Sequence, residues 1–208
     1  MVLGSGARGV QHTLFTPIAR AFLRIGLTPN VVTIIGTAGT TITALVLLPM
    51  GHLVVGSLIL GVLVLTDSID GIMAREAKTS STYGAFLDST LDRVSDAAIF
   101  SGVLLWFLFQ SDGAWQLTGI FTTLACLIFG ALVPYVRAKA ESVGVDASVG
   151  IAERADRIVV VLLATLLTGL GVPAPVMAVL LGLLAVLSLV TVLQRILAAR
   201  AALKGTDG

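Results

Sequence analysis

Four aspartates lie in two apolar segments at spacings that suit metal binding. Asp67 and Asp70 are three residues apart, and Asp88 and Asp92 are four apart. Each pair therefore lies on one face of a helix. Sites made only of carboxylates favour hard ions such as Mg²⁺, Mn²⁺ or Ca²⁺, whereas zinc prefers His or Cys. The sequence thus predicts that two helices together form a site for divalent cations.

The composition predicts an integral membrane protein. The chain has 208 residues, of which 56% are hydrophobic and 12% charged, and its mean hydropathy is +1.02. Soluble domains carry about 25% charged residues, so the apolar surplus must face lipid. We expect no nucleic-acid partner; the net charge of +1 by itself says nothing about one. The single cysteine, Cys126, offers neither a disulfide nor a cysteine metal site.

Apolar segments long enough to cross a bilayer predict six transmembrane helices. The predicted class is an all-α integral membrane fold with an amphipathic interfacial helix at the N-terminus, over Leu14–Ile25. A single domain, 1–208, would comprise a cytoplasmic arm and interfacial helix (1–30), a six-helix core (31–197) and a cytoplasmic tail (198–208). The predicted spans are approximately 31–50, 53–74, 84–109, 115–136, 158–170 and 176–195.

The charge distribution predicts the orientation. None of the 13 Lys and Arg residues falls in the short turns at 51–52, 111–113 and 171–173. Positive residues stay on the cytoplasmic side. We therefore expect a multi-pass protein of the cell membrane with both termini and the aspartates facing the cytoplasm.

Buried acids are costly in a membrane. A charged Asp at the centre of a span costs about 2.5–3.5 kcal/mol, so four cost on the order of 10 kcal/mol. Arg75 and Arg93 cannot neutralise four acids, whereas two divalent cations can. Acids that merely cap helix ends would explain the cluster less well, given their number and shared faces. Asp96, one turn further, either supports the metal ligands or pairs with Arg93.

The acids belong to a longer pattern, Asp67-x2-Asp70-Gly71-x2-Ala74-Arg75-x8-Gly84-x3-Asp88-x3-Asp92. At every fixed position this resembles the signature of the CDP-alcohol phosphotransferase family. The resemblance implies a homodimeric membrane enzyme with six helices. Such an enzyme transfers the phosphatidyl group of CDP-diacylglycerol to an alcohol and releases CMP.

The resemblance also implies roles for individual residues. Asp67, Asp70, Asp88 and Asp92 would bind two Mg²⁺ ions, with Mn²⁺ as an alternative. Asp92 would also act as the general base on the acceptor hydroxyl. Asn30 and Thr33 are further candidates for the nucleotide site, although the start of the first span explains them equally well. The motif residues implied in the nucleotide site are Gly71, Ala74, Arg75 and Gly84.

A second basic cluster bears on the acceptor. Its members could hold a phosphate through charged hydrogen bonds, although positive-inside topology alone would place many of them there. The stretches 24–33, 135–141 and 150–157 resemble actinobacterial phosphatidylinositol phosphate synthases, except that Arg and Lys are swapped at 137 and 139. The resemblance implies inositol phosphate as acceptor; the alternative is a phosphatidylglycerophosphate synthase using glycerol 3-phosphate. The candidate phosphate-binding residues are Arg137, Lys139, Arg154, Arg157 and Arg195.

Two other classes remain as alternatives. An intramembrane prenyltransferase also uses acid-rich motifs with Mg²⁺, but usually divides them between two halves of a longer chain. A divalent-cation transporter would carry acids at mid-membrane with access to both sides. Here the acids fall within one window near one side, beside Gly71, Arg75 and Gly84. This arrangement favours the transferase.

Overall fold

The computed structural model describes residues 5–204, with side chains from Phe15 onward except that of Ser68. Over these residues the chain forms eight α-helices and no strand, which confirms the predicted all-α class. Residues 1–4 and 205–208, part of the predicted arm and tail, lie outside this description. The helices are α1 (Ser5–Arg24), α2 (Pro29–Leu47), α3 (Leu53–Thr66), α4 (Ser68–Glu76), α5 (Thr82–Gln110), α6 (Gly113–Glu141), α7 (Arg154–Gly169) and α8 (Ala174–Lys204).

The second predicted span is interrupted at Asp67. The backbone there stays helical, with φ −54° and ψ −27°, and the Asp67 N–H donates to the Leu63 carbonyl at 3.0 Å. The Thr66 hydroxyl donates to the same carbonyl at 2.9 Å. A hydroxyl that bonds back to the preceding turn competes with the helical pattern. The junction of α3 and α4 is thus a local perturbation at the first motif aspartate, which the sequence did not predict.

Four helical segments of the described chain are long and apolar enough to cross a bilayer, which supports a membrane protein. Neither α5 nor α7 is among them, so the count of six spans stays a prediction. Helix α7 has only 16 residues, and α5 carries all its charged residues in its first half. Helix α8 continues past the predicted end of the core at 197. The four segments are Pro29–Leu47, Leu53–Glu76, Gly113–Glu141 and Ala174–Lys204.

The helices pack around an apolar core but also present apolar faces outward. Helix α6 lies along α8, α2 lies along α5, and α3 packs against α7. Leu60 and Phe107 are fully buried in this core. In contrast, Ile42, Leu58 and Phe121 are each more than half exposed. Large apolar side chains on the outer surface suit contact with lipid.

Helix α1 packs against α4. Ala19 is fully buried, together with Ile69 and Met73 of α4. Ile18 and Ile25, which the sequence places on the apolar face, are exposed. The helix begins nine residues earlier than predicted, at residue 5 instead of 14, and the side chain at position 14 lies outside the description.

The short turns meet at one end of the bundle. The Gln110 side chain at the end of α5 donates to the Pro49 carbonyl at 3.0 Å. The end of α7 approaches the start of α3, because a Cβ added to Gly169 would lie 2.9 Å from the Leu53 Cβ. The opposite end therefore gathers the end of α4, the starts of α5 and α7, and the ends of α6 and α8. The candidate site residues lie at this second end.

Helices α2 and α5 touch backbone to backbone. A Cβ added to Gly102 of α5 would collide with the Ala44 carbonyl of α2. Small residues permit such close approach between membrane helices. The contact fixes α2 relative to α5, and with it the groups that each helix presents to the site.

We expect Gly102→Ala to lower the thermal stability of the purified protein. Overpacking a tight contact typically costs about 1–3 kcal/mol, so the midpoint of thermal unfolding in detergent should fall by several degrees. Gly61→Ala is the matched control, because a Cβ at Gly61 meets nothing within 4 Å. Equal midpoints for both variants would contradict the close contact of α2 and α5.

Candidate active site

Three of the four motif aspartates form one cluster. Asp67 lies at the junction of α3 and α4, Asp70 is in the first turn of α4, and Asp88 lies in α5. One carboxylate oxygen from each lies within 4.8 Å of the other two. The structure thus brings together three residues from two separate elements, as the spacing predicts.

The cluster has the character of a cation site. Asp70 is 8% exposed; its carboxylate accepts a hydrogen bond from the Thr33 hydroxyl and one from the Gly71 N–H at 2.5 Å. Both donors are neutral. Within the described residues no Lys, Arg or His side-chain nitrogen lies within 4.0 Å of the carboxylate of Asp70 or Asp88. A buried carboxylate without a counter-charge is costly, and an all-oxygen donor set suits a hard divalent cation.

Asp92 joins this cluster through an arginine. Arg154 Nη1, from the start of α7, lies 2.8 Å from Asp92 Oδ1 and 3.2 Å from Asp67 Oδ2. Asp92 is therefore not among the three clustered acids, but it shares one guanidinium nitrogen with Asp67. Arg93 Nη2 is 3.9 Å from Asp92 Oδ2. The sequence did not predict that a residue 62 positions away would bridge two motif acids.

Asp96 pairs with α7 instead of with Arg93. Its two oxygens accept from Arg154 Nε at 2.9 Å and from Arg157 Nη2 at 3.4 Å. The suggested pairing with Arg93 is thus wrong, because Asp96 faces two arginines of a neighbouring helix. The other suggestion, a group that supports the acids, agrees with its position.

A cavity of about 360 Å³ adjoins the acid cluster. All six residues predicted for the nucleotide site line it: Asn30, Thr33, Gly71, Ala74, Arg75 and Gly84. The cavity also includes Asp70 and Asp88, so it opens onto the cluster. Residues that the sequence did not single out complete the wall: Thr28, Pro29, Thr79, Ser80, Ser81 and Ala85.

Two helices begin at this cavity. Thr28 caps α2, with Pro29 in the first turn, and the Ser81 hydroxyl caps α5 by accepting from the Gly84 N–H at 3.0 Å. A Cβ on Gly84 would lie 3.2 Å from Ser81 Oγ and 3.5 Å from Asn30 Oδ1, so glycine keeps this wall open. Helix N-termini attract anions. A serine three residues before Gly84 was a capping signal that the sequence already carried.

A second cavity, of about 390 Å³, is lined in part by Arg154. Four of the five predicted acceptor residues line it, namely Arg137, Arg154, Arg157 and Arg195, together with Arg93. Lys139 is exposed and is not among its lining residues. Residues two apart in a helix point about 200° apart, so a cavity facing Arg137 cannot also face Lys139.

Helix α8 holds the start of α7 in place. Arg195 donates to the Val149 carbonyl at 2.8 Å and to the Val133 carbonyl at 2.7 Å. The Thr191 hydroxyl oxygen accepts the N–H groups of Ile151 and Ala152, at 3.3 and 3.1 Å. The connection before α7 is thereby anchored, and with it the first turn that carries Arg154 and Arg157.

Comparison with known proteins gives consistent matches. Residues 26–194 match the family model described as CDP-alcohol phosphatidyltransferase. The phosphatidylinositol phosphate synthase of Cutibacterium acnes is 48% identical over 160 residues, which cover 76% of this chain and 75% of that protein. The matched range contains the whole aspartate motif and every arginine that lines either cavity except Arg195.

Solved structures share the fold. The crystal structure of Mycobacterium tuberculosis phosphatidylinositol phosphate synthase with CDP-DAG bound matches with a TM-score of 0.83 and 39% identity, covering 90% of this chain and 94% of that one. The structure of the same enzyme in complex with manganese and citrate matches with a TM-score of 0.84 and 40% identity, covering 89% and 88%.

We expect Thr33→Val to weaken metal binding. The substitution removes the hydroxyl that donates to Asp70, and loss of a group that orients a metal ligand typically costs about ten-fold or more in affinity. Titration of the purified protein with Mn²⁺ by calorimetry measures the change. Thr33→Ser should retain most of the affinity, and Thr37→Val, one turn further along α2, is the control. Unchanged affinity in Thr33→Val would contradict this role.

Proposed function

The chain belongs to the CDP-alcohol phosphatidyltransferase family, and we propose that it transfers the phosphatidyl group of CDP-diacylglycerol to inositol phosphate, giving phosphatidylinositol phosphate and CMP. One observation carries the proposal: the cavity lined by the family motif includes Asp70 and Asp88 of the acid cluster, and Arg154 of the arginine-lined cavity contacts Asp67 of the same cluster. The relatives named as phosphatidylinositol phosphate synthases support the choice of acceptor.

We assign the first cavity to the donor. The N-termini of α2 and α5 and the side chain of Arg75 offer positive charge to the diphosphate. Gly71 and Gly84 leave room for the nucleotide to approach the backbone. Asn30, Thr33 and Ala74 complete the nucleotide contacts that we propose. A site at one end of the bundle lets the acyl chains stay in lipid.

We propose that Asp67, Asp70, Asp88 and Asp92 hold two Mg²⁺ ions, with Mn²⁺ as an alternative. Two observations support this: three carboxylates cluster, and within the described chain no basic side chain lies within 4.0 Å of Asp70 or Asp88. Bound divalent cations would neutralise the diphosphate and stabilise the departing CMP. The relative solved with manganese and citrate is in keeping with this choice of ion.

Asp92 is the proposed general base. It lies beside Arg154, which lines the acceptor cavity. A hydroxyl oxygen of the acceptor attacks the phosphorus of the phosphatidyl group, its proton passes to the Asp92 carboxylate, and the bond between that phosphorus and the oxygen of CMP breaks. In this proposal Asp92 serves as the base because it would lie within hydrogen-bond distance of the acceptor hydroxyl, more than because of its basicity.

We also propose the finer topology that the sequence predicts. All six segments cross the membrane, α1 lies at the interface, and both termini and the site face the cytoplasm as one domain. The absence of Lys and Arg from the three turns at the far end supports this orientation. The family resemblance further implies a homodimer.

An acceptor assay tests the function. Purified protein with CDP-diacylglycerol and Mg²⁺ receives inositol phosphate, inositol or glycerol 3-phosphate in turn, and the release of CMP is measured. We expect release with inositol phosphate only. Product only with glycerol 3-phosphate would replace the acceptor by that of a phosphatidylglycerophosphate synthase. No CMP with any acceptor would end the transferase proposal.

We expect Asp92→Asn to lower kcat about 100-fold or more, in the range of a lost general base. Asp70 and Asp88 line the donor cavity and Asp92 does not, so binding of CDP-diacylglycerol measured by calorimetry should fall much less than kcat. Asp112→Asn, an exposed residue at the far end of the bundle, is the control. Wild-type turnover in Asp92→Asn would remove the residue from the chemistry.

Arg137→Ala should raise the KM for inositol phosphate about ten-fold or more, because it removes a charged hydrogen-bond donor from the acceptor cavity. Lys139→Ala should change this KM much less, since Lys139 lies outside the lining. The comparison tests whether Arg137 points into the cavity and Lys139 points away from it. Equal effects would show that both reach the acceptor.

A further inference from the structure

Asp96 is a buried acid that the family motif does not include. It lies in α5 one turn after Asp92 and is 9% exposed. Its carboxylate contacts two arginines of α7, one through each oxygen. Because residues 154 and 157 are three apart on a helix, both face α5 together. Asp96 therefore links α5 to the first turn of α7, whose Arg154 and Arg157 line the basic cavity.

Arg157 is held firmly on this link. It is only 1% exposed, and its Nη1 donates to the Ala152 carbonyl at 3.3 Å while Nη2 contacts Asp96. The free space next to it is about 30 Å³, and a Cβ at Gly130 would lie 3.4 Å from Arg157 Nε. Among the described residues, Asp96 is the only carboxylate within 4.0 Å of this guanidinium.

Arg154 is divided between two kinds of partner. Its Nη1 contacts Asp67 and Asp92, which we assign to the metal site, and its Nε contacts Asp96. A divalent cation and a guanidinium group compete for the same carboxylate oxygens, since both are positive. Of the three acids, Asp96 alone lies outside the motif. It is thus the partner that remains available to Arg154 when cations occupy the others.

We propose that Asp96 is a positioning residue for the acceptor, which holds Arg154 and Arg157 at the wall of the basic cavity. It acts through the two guanidinium groups and does not itself bind the acceptor phosphate. The carboxylate sets their orientation, because each oxygen accepts from a different arginine. This proposal rests on the proposed function, since it concerns binding of the anionic acceptor in that cavity.

Kinetics of Asp96→Asn test the proposal. Asparagine keeps the size of the side chain but loses the charge and one acceptor, so the arginines lose their shared anchor. We expect the KM for inositol phosphate to rise about ten-fold or more, while kcat and the KM for CDP-diacylglycerol change less than three-fold. Asp96→Glu, which restores the charge, should recover part of the loss. Asp112→Asn is the matched control and should match the wild type.

A double-mutant cycle adds a second readout. If Asp96 acts through Arg157, the effects of Asp96→Asn and Arg157→Lys on the acceptor KM should not add in the double variant. Calorimetric titration of the purified protein with inositol phosphate measures the same loss without turnover. Additive effects would show that the two residues act separately.

The outcomes separate this proposal from the function itself. If the wild type releases no CMP with any acceptor, the proposed function fails. If the wild type is active and Asp96→Asn has an unchanged acceptor KM, only the positioning role fails. A variant with lowered thermal stability, in which both KM values and kcat worsen together, would assign Asp96 to folding and overturn the proposal.

Discussion

Negative charge held at one end of an apolar bundle is the constraint around which the structure is organised. Carboxylates in such surroundings need either positive charge or hydrogen-bond donors. Asp67, Asp92 and Asp96 obtain arginine partners from α7, whereas the partners of Asp70 within residues 15–204 are a hydroxyl and a backbone N–H. The remaining deficit is what a divalent cation, and then an anionic donor, can fill.

Arg154 connects the acid cluster to the basic cavity. Arg154 contacts the acids with some of its nitrogens and lines the basic cavity as well. A guanidinium group suits this position because its several donors lie in a fixed plane. The anchoring of the 142–153 connection on Thr191 and Arg195 keeps that plane in place. Hydrogen bonds between α8 and this connection thus support the position of Arg154.

The sequence predicted what local spacing controls. Acids three and four residues apart had to share helix faces, and the family resemblance assigned Gly71, Ala74, Arg75 and Gly84 to one site. Much of the lining of the first cavity was therefore predictable. Contacts between distant residues were not: Arg154 and Asp67 are 87 positions apart, and nothing in either segment identifies the other. The interruption at Asp67 depends on local hydrogen bonding. The different directions of the Arg137 and Lys139 side chains depend on the rotation of α6 about its axis. Thr28 and Ser81 are residue types that cap helix N-termini, so the sequence could have predicted them as cavity residues too.

The polar first half of α5 also has a consequence for how the protein is made. Asp88, Asp92 and Asp96 leave the ribosome well before α7, which carries the arginines that pair with two of them. Until α7 is synthesised, α5 lacks those counter-charges and is poorly suited to lipid by itself. In the proposed topology, α5 therefore gains these two arginine contacts only after α7 has been synthesised.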